Sequence, residues 1–229
     1  MSEILLRPAT PEDLPAIAAY GVTNSSDMPI YSIGLAGCDS FPVSLARTKH
    51  FFSQPYYHFT VAVLSSSPST VVGYICAKDG GELVEVPFKP DLPEGANKEF
   101  FGYFLGKSEA HKNALPIQGL PELEMLDVSP EYQRKGIGKL LVAEMLKGVD
   151  ERGERCFVHS SGMGKGLYEQ FGWKAFEEKG WEIDLSRFGE EKPYVTWDMV
   201  REVRGGVDVG KGTEENVGGF LRRMEKKYG

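Results

Sequence analysis

The chain has 229 residues, 41% of them apolar, enough for one α/β unit with insertions or for two small domains. Its net charge of −7 argues against nucleic acid as a partner, because binding a phosphate backbone needs a basic face that displaces counterions. An acidic surface suits a cationic substrate instead.

In chain order, residues 4–7 read as a strand. Thr10 then offers an N-cap, Pro11 a first helical position, and Glu12 and Asp13 acids for the first turn, so a helix over 11–20 is expected. The start MSEILLRPATPEDL lacks the basic and apolar regions of a signal peptide, and no run is long enough to span a membrane. The expectation is a cytoplasmic protein without membrane contact, with the nucleus as a second location. Residues 24–40 are punctuated by Ser, Gly and Pro, and 43–52 form a second helix. Runs 58–64 and 70–77 flank the turn SSSPS and predict a hairpin.

Pro87, Pro90 and Pro93 mark irregular chain. Residues 96–115 read as a helix with Phe100, Phe101, Phe104 and Leu105 on one broad face, either packed on the core or serving as a lid over a substrate pocket within an insertion at 79–121. A strand over 122–128 leads to the clearest helix, 136–149, whose Leu141, Val142, Met145, Leu146 and Val149 make one buried face. Residues 155–160 are a strand, 165–171 a short helix, 173–176 and 181–185 strand material, and 194–202 a last strand. This alternation predicts an α/β chain with a mixed sheet flanked by helices. A domain over 1–204 is then followed by a Gly-rich linker and short helix within 205–229.

Cys38, Cys76 and Cys156 are odd in number and show no C-x-x-C spacing, which predicts reduced thiols and neither a disulfide framework nor a zinc site. His50, His58, His111 and His159 lack metal-ligand spacing, so no metal is expected. Each reads as a surface or satisfied core residue, His159 lying on the strand over 155–160.

The loop Gln133-Arg134-Lys135-Gly136-Ile137-Gly138 separates strand 122–128 from its helix. It is not a Walker A loop, since Gly138-Lys139 is followed by Leu140 and position 133 is Gln. It is not a dinucleotide fingerprint either, since position 141 is Leu. Two readings remain: an ordinary strand-to-helix turn with a solvated basic cluster, or an anion site made of free N–H groups at a helix N-terminus. In the second, Gly136 and Gly138 remove Cβ atoms near the anion, and Arg134, Lys135 and Lys139 add charge-assisted contacts.

The stretch LDVSPEYQRKGIGKLL resembles the cofactor motif of the GNAT superfamily of N-acetyltransferases, Gln/Arg-x-x-Gly-x-Gly/Ala, through Gln133, Gly136 and Gly138, preceded by the family's Leu-x-Val-x-Pro at Leu126, Val128 and Pro130. SSGMGKGLYEQFGWKAF is similar to its Tyr-x-x-x-Gly-Phe region through Tyr168, Gly172 and Trp173. The layout also resembles small single-domain fungal members. The resemblance implies a mixed, mostly antiparallel sheet of about seven strands, splayed in the centre. It implies acetyl-CoA as co-substrate, with the pyrophosphate on Gln133, Arg134, Lys135, Gly136, Ile137, Gly138 and Lys139. The pantetheine arm would pair with the backbone of Leu126, Asp127 and Val128, and Ser160 and Ser161 would give polar contacts. Tyr168 stands at the family's usual general-acid position, and the Val128 N–H would polarise the thioester oxygen.

Acetyl transfer needs a neutral amine, and a lysine-like amine has a pKa of about 10.4, so a base must take a proton. Strand alternation puts Glu122 and Glu124 on one face with Leu126 and Val128, at positions where the family commonly places a base, and Asp127 on the other. A phenol is a weaker acid than a thiol, so Tyr168 reads as a hydrogen-bond donor to the leaving sulfur.

The expected acceptor is a small-molecule or protein amine, met by a monomer or homodimer. Its pocket is expected around residues 24–40, 100–115 and 181–195, where Tyr31, Phe101, Tyr103 and Tyr194 could shape it. Direct attack in a ternary complex is the implied mechanism. The rival reading is a catalytically silent CoA-binding or regulatory module on the same fold.

Overall fold

The structure is a computed structural model and describes residues 3–203; the linker and helix expected within 205–229 lie outside the described residues. β1 (Ile4–Pro8), β2 (Tyr57–Leu64), β3 (Ser67–Lys78), β4 (Glu122–Val128), β5 (Cys156–Ser160), β6 (Trp173–Ala175), β7 (Trp181–Ile183) and β8 (Tyr194–Arg201) form one sheet. Its order is β1-β2-β3-β4-β5-β8-β6, with β7 also on β8. Every pairing is antiparallel except β4 with β5. The sheet is mixed and mostly antiparallel, as expected, with eight strands where about seven were read.

Helix α1 (Leu14–Asn24) follows a single 3-10 turn at Pro11–Asp13. Asp13 fixes that turn: its carboxylate accepts from the Thr10 N–H at 2.7 Å and from both terminal nitrogens of Arg7 at 2.7 and 2.8 Å. The Arg7 guanidinium holds Asp13 below its ordinary carboxylate range. α1 runs four residues past the expected end at position 20, and a helical turn at Ile30–Gly34 interrupts the segment read as loop. α2 (Phe41–Phe52), α3 (Lys98–Ala114), α4 (Ile137–Glu151) and α5 (Gly162–Gln170) complete the described helices.

The helices cover both faces of the sheet. α4 buries Ile137, Leu141, Val142, Leu146 and Val149 against Ala62, Ile75, Leu123 and Val158, each side chain contributing about 1.5–3 kcal/mol. On the opposite face Leu14 and Ile17 of α1 and Phe51 of α2 pack on Phe59, Val61 and Tyr74. α3 buries Phe100, Phe101 and Phe104 against Leu35, Ile183 and Leu185, while Leu105 of the expected apolar face is exposed. The phenylalanines therefore act as core, and any lid role falls to the rest of the helix. No described helix is long and apolar enough to cross a membrane. Cys76 and Cys156 are buried and all three cysteines are free.

Candidate active site

β4 and β5 share only two rungs, Glu122↔Phe157 and Leu123↔Val158. Beyond them the strands diverge. β3 pairs with β4 as far as Val128, so one edge of β4 is occupied, while from Glu124 onward the edge toward β5 faces no strand. That unpaired backbone is a template for an extended ligand, because a strand edge carries a row of free N–H and C=O groups.

The glycine loop stands at the mouth of this gap. Arg134 has φ 60° and Gly136 φ 85°, both left-handed, and Gly136 is the N-cap of α4. The first intrahelical bond of α4 runs from the Leu140 N–H to the Gly136 carbonyl at 3.1 Å, which leaves the N–H groups of Ile137, Gly138 and Lys139 without intrahelical acceptors. A Cβ at Gly136 would meet nothing within 4 Å, so this glycine is required by its backbone angle, and the expected need for space does not apply to it. At Gly138 a Cβ would come within 3.4 Å of Leu167. Gln133 donates from Nε2 to the Val128 carbonyl at 3.1 Å and so ties the loop to the end of β4. Lys135 folds back onto the Glu131 carbonyl at 2.6 Å and over the Tyr132 ring, whereas Arg134 and Lys139 are exposed beside the loop.

The acids of β4 require a correction. In the β3–β4 register Cys76 faces Met125 and Ala77 faces Leu123, so Glu124 is a bulge residue. A bulge inserts one residue and resets the alternation. Leu123, Leu126 and Val128 consequently all pack on the α4 side, while Met125 packs on the α1/α2 side. Glu124 reaches Arg47 of α2 at 3.4 Å, and Asp127 reaches Asn24 of α1 at 3.1 Å and the Tyr74 hydroxyl at 2.9 Å. Glu122, Glu124 and Asp127 thus share one face, opposite to Leu126 and Val128. The expectation that Asp127 lies apart from the glutamates fails because heptapeptide ELEMLDV does not announce its bulge.

The three carboxylates differ in what they can do. Glu122 is 5% exposed and accepts from Lys112 of α3 at 2.8 and 2.9 Å, with Lys78 at 3.4 Å. Burial, then the neighbouring Glu124, push its pKa up against the pull of both lysines. Burial also drives Asp127 up to about 6, although Asn24 and Tyr74 stabilise its charge. Glu124 is held only through the long contact with Arg47. Asn24, Arg47, Tyr74 and Lys112 carry no local motif, so their part in this face could be read only from the fold.

Tyr168 of α5 is buried edge-on to Trp173, and burial, helped by the charge of Asp127, raises its pKa well above that of an ordinary phenol. It is therefore a hydrogen-bond donor with little capacity to ionise. Gly164 keeps it in place, since a Cβ there would lie 2.9 Å from the Tyr168 ring and 3.0 Å from the Ser160 hydroxyl. Ser160 is buried and donates to the Ser161 carbonyl at 2.8 Å, and Ser161 stands at the N-cap position of α5 without a side-chain cap bond.

A second polar cluster lies on the β5 side of the gap. Asp198 of β8 binds His159 Nδ1 at 2.8 Å and His111 Nε2 at 2.7 Å, one imidazole on each carboxylate oxygen. The two histidines hold Asp198 at about 2, against the effect of burial. His111 stacks on Trp181 with centroids 4.0 Å apart and planes 3° off parallel. Consecutive residues of α3 therefore bridge the splayed strands: His111 binds β8 and Lys112 binds β4. Among the described residues no group of three or more His, Cys, Asp and Glu side chains is arranged to hold a metal.

A model of the GNAT acetyltransferase domain matches residues 96–184. No curated protein matches the chain. Among solved structures, a histone acetyltransferase HPA2 and related acetyltransferase from Corynebacterium glutamicum aligns with TM-score 0.57 at 14% identity, over 92% of this chain and 100% of that one. The C-terminal condensation domain of Ebony, in complex with beta-alanyl-dopamine, aligns with TM-score 0.61 at 14% identity, over 89% and 100%. Arabidopsis thaliana NAA60, in complex with a bisubstrate analogue, aligns with TM-score 0.52 at 14% identity, over 89% and 100%. At these identities the structures speak for the fold, and the domain model for the chemistry. Residues 96–184 thus match a GNAT acetyltransferase domain, the described chain has the fold of these acetyltransferases, and the match supports an acyltransferase enzyme.

Proposed function

We propose that the protein is an acetyl-CoA-dependent N-acetyltransferase acting on a primary amine by direct attack in a ternary complex. The observation that carries this reading is the two-rung β4–β5 junction opening beside the left-handed Gly136 turn of α4. An extended pantetheine arm fits the free edge from Glu124 to Val128. A pyrophosphate fits the N–H groups of Ile137, Gly138 and Lys139, where unpaired donors and the helix dipole both favour an anion.

The acceptor enters from the face that carries Glu124 and Asp127, and its positive charge is matched by those acids. Glu124 is the glutamate free to meet an ammonium group there, since Glu122 is enclosed by two lysines. Tyr168 stabilises the departing sulfur by a hydrogen bond, and the Val128 N–H polarises the thioester oxygen. An amine that is a small molecule or a protein terminus fits this chemistry equally.

Titration calorimetry with acetyl-CoA, followed by thiol-release assays over a panel of amines, tests the reading. Saturable binding and amine-dependent release of CoA are expected. Binding without release on any amine would leave the silent module, and absence of binding would remove the proposal. Tyr168→Phe is expected to lower kcat about ten- to a hundred-fold, the scale for loss of one donor to a developing charge, with the acetyl-CoA Kd unchanged; equal kcat would remove Tyr168 from the chemistry.

A further inference from the structure

We infer that the amine proton is accepted by His159, held by Asp198, rather than by a carboxylate of β4; this rests on the acyl-transfer reading above. Asp198 is nearly sealed, with its side chain 5% exposed, and the two imidazoles bonded to it favour its charged form; a charged carboxylate only accepts hydrogen bonds. Both imidazoles bound to it must therefore donate. For His159 the donating atom is Nδ1, which fixes the neutral ring as the Nδ1–H tautomer and leaves a lone pair on Nε2. The described residues give Nε2 no hydrogen-bond partner, and the ring is 43% exposed, so the lone pair is open to a substrate.

Its place in the sheet aims this group at the gap. Phe157 is the rung partner of Glu122, and the two share a face, because Lys112 binds Glu122 while lying over the Phe157 ring at 5.9 Å. His159 is two residues further along β5, hence on the same face and beyond the last rung, opposite the bulged Glu124. Glu124 and His159 therefore line the start of the gap from its two sides, just beyond the last rung, where the strands begin to exceed the usual spacing of about 4.8 Å.

The titratable groups on this face are Asp198 of β8, bonded to the imidazole, His111 of α3 behind that carboxylate, and, across the gap, Glu124 of β4 and the Glu122–Lys112 pair. Beside them His159 has a ring nitrogen with no hydrogen-bond partner among the described residues, and imidazole is the side chain suited to proton exchange near neutral pH. In the reaction the amine nitrogen bonds to the thioester carbonyl carbon and the C–S bond breaks with its electron pair going to sulfur. The proton leaves nitrogen for His159 Nε2 and passes to solvent, and the sulfur departs as thiolate or takes a proton. His111, stacked on Trp181, is a positioning residue that steadies Asp198.

The test compares His159→Gln with Glu124→Gln in the full chain, reading kcat, KM and their pH profiles. His159→Gln is expected to lower kcat about a hundred-fold, within the usual range for a lost general base, and to abolish the acid limb of the kcat profile while the acetyl-CoA Kd stays constant. Glu124→Gln is expected to raise the amine KM and keep that limb. Loss of the limb in Glu124→Gln and its retention in His159→Gln would overturn the inference. Long-range nitrogen–proton NMR of the imidazoles tests it independently of turnover: an Nδ1–H tautomer for His159 is expected, and an Nε2–H tautomer overturns it. If wild type releases no CoA with any amine, the acyl-transfer reading fails first, and the NMR result still reports on the dyad.

Discussion

Arg201→Met should lower unfolding free energy by about 3 kcal/mol, one of the largest single-residue losses available outside the catalytic gap. Arg201 is 1% exposed, yet it sits at the end of β8 with a forked pair of bonds to Asp150 of α4, at 2.6 and 2.9 Å, and a third to the Phe171 carbonyl at 3.0 Å. Its guanidinium also lies over the Trp173 ring. Breaking a buried pair from one side costs about 3–5 kcal/mol because the remaining charge is stranded. The lower end applies here, since Asp150 is 33% exposed and regains water. Against a total stability of about 5–15 kcal/mol, this corresponds to a midpoint lower by about 6–12 °C for a chain of this size. Urea or thermal unfolding reads it directly. The reverse variant, Asp150→Asn, strands the enclosed guanidinium, and the double variant should lose less than the sum of the two. A loss below about 1 kcal/mol for Arg201→Met would show that the fork holds nothing together.

The second large effect is expected at the glycine loop. Gly136→Val places a β-branched residue at φ 85°, where an L-residue costs about 1–2 kcal/mol and a branched side chain is a genuine outlier. The turn is exposed, so the chain relieves the strain by moving the loop, and the donors of the first turn of α4 lose their common focus. Acetyl-CoA affinity is expected to fall by at least about tenfold, since 1.4 kcal/mol is tenfold in affinity, with the fold retained. Gly138→Ala supplies the contrast: its Cβ meets side chains of Leu167 at 3.4 Å and Val128 at 4.0 Å, both ordinary contacts, and affinity should change little. Calorimetric titration of both variants decides the matter. Similar affinities for wild type and Gly136→Val would mean that the turn does not bind the cofactor.

What the sequence made readable was local. The α4 stripe from Leu141 to Val149, the glycine turn and the hairpin of β2 and β3 are each specified by neighbours within a dozen residues, and they stand where their patterns put them. The β4 face was misread because period-two alternation holds only until a strand bulges, and the skipped rung at Glu124 depends on how β3 lies alongside. The histidines read as surface or core residues for a different reason. Asp198 meets His159 across 39 positions and His111 across 87, so neither pair leaves a spacing to find. A general base assembled from three elements has no motif; only packing reveals it.

One consequence of the two-rung junction concerns mechanics. Sheets of this length are ordinarily stiffened across their width by ladders of backbone bonds, but here β1–β4 and β5–β8 are coupled through Glu122 and Leu123 alone. Beyond the α4 core that spans both halves, a polar tie is the last part of α3, where His111 grips one half and Lys112 the other. Adjacent helical residues point about 100° apart, as 3.6 residues per turn requires. The two half-sheets are thus joined in part through one helical turn, and a twist of α3 about its own axis would move both walls of the gap together, a shear of packed elements. The width of the opening is a property of the helices that span it as much as of the sheet in which it lies.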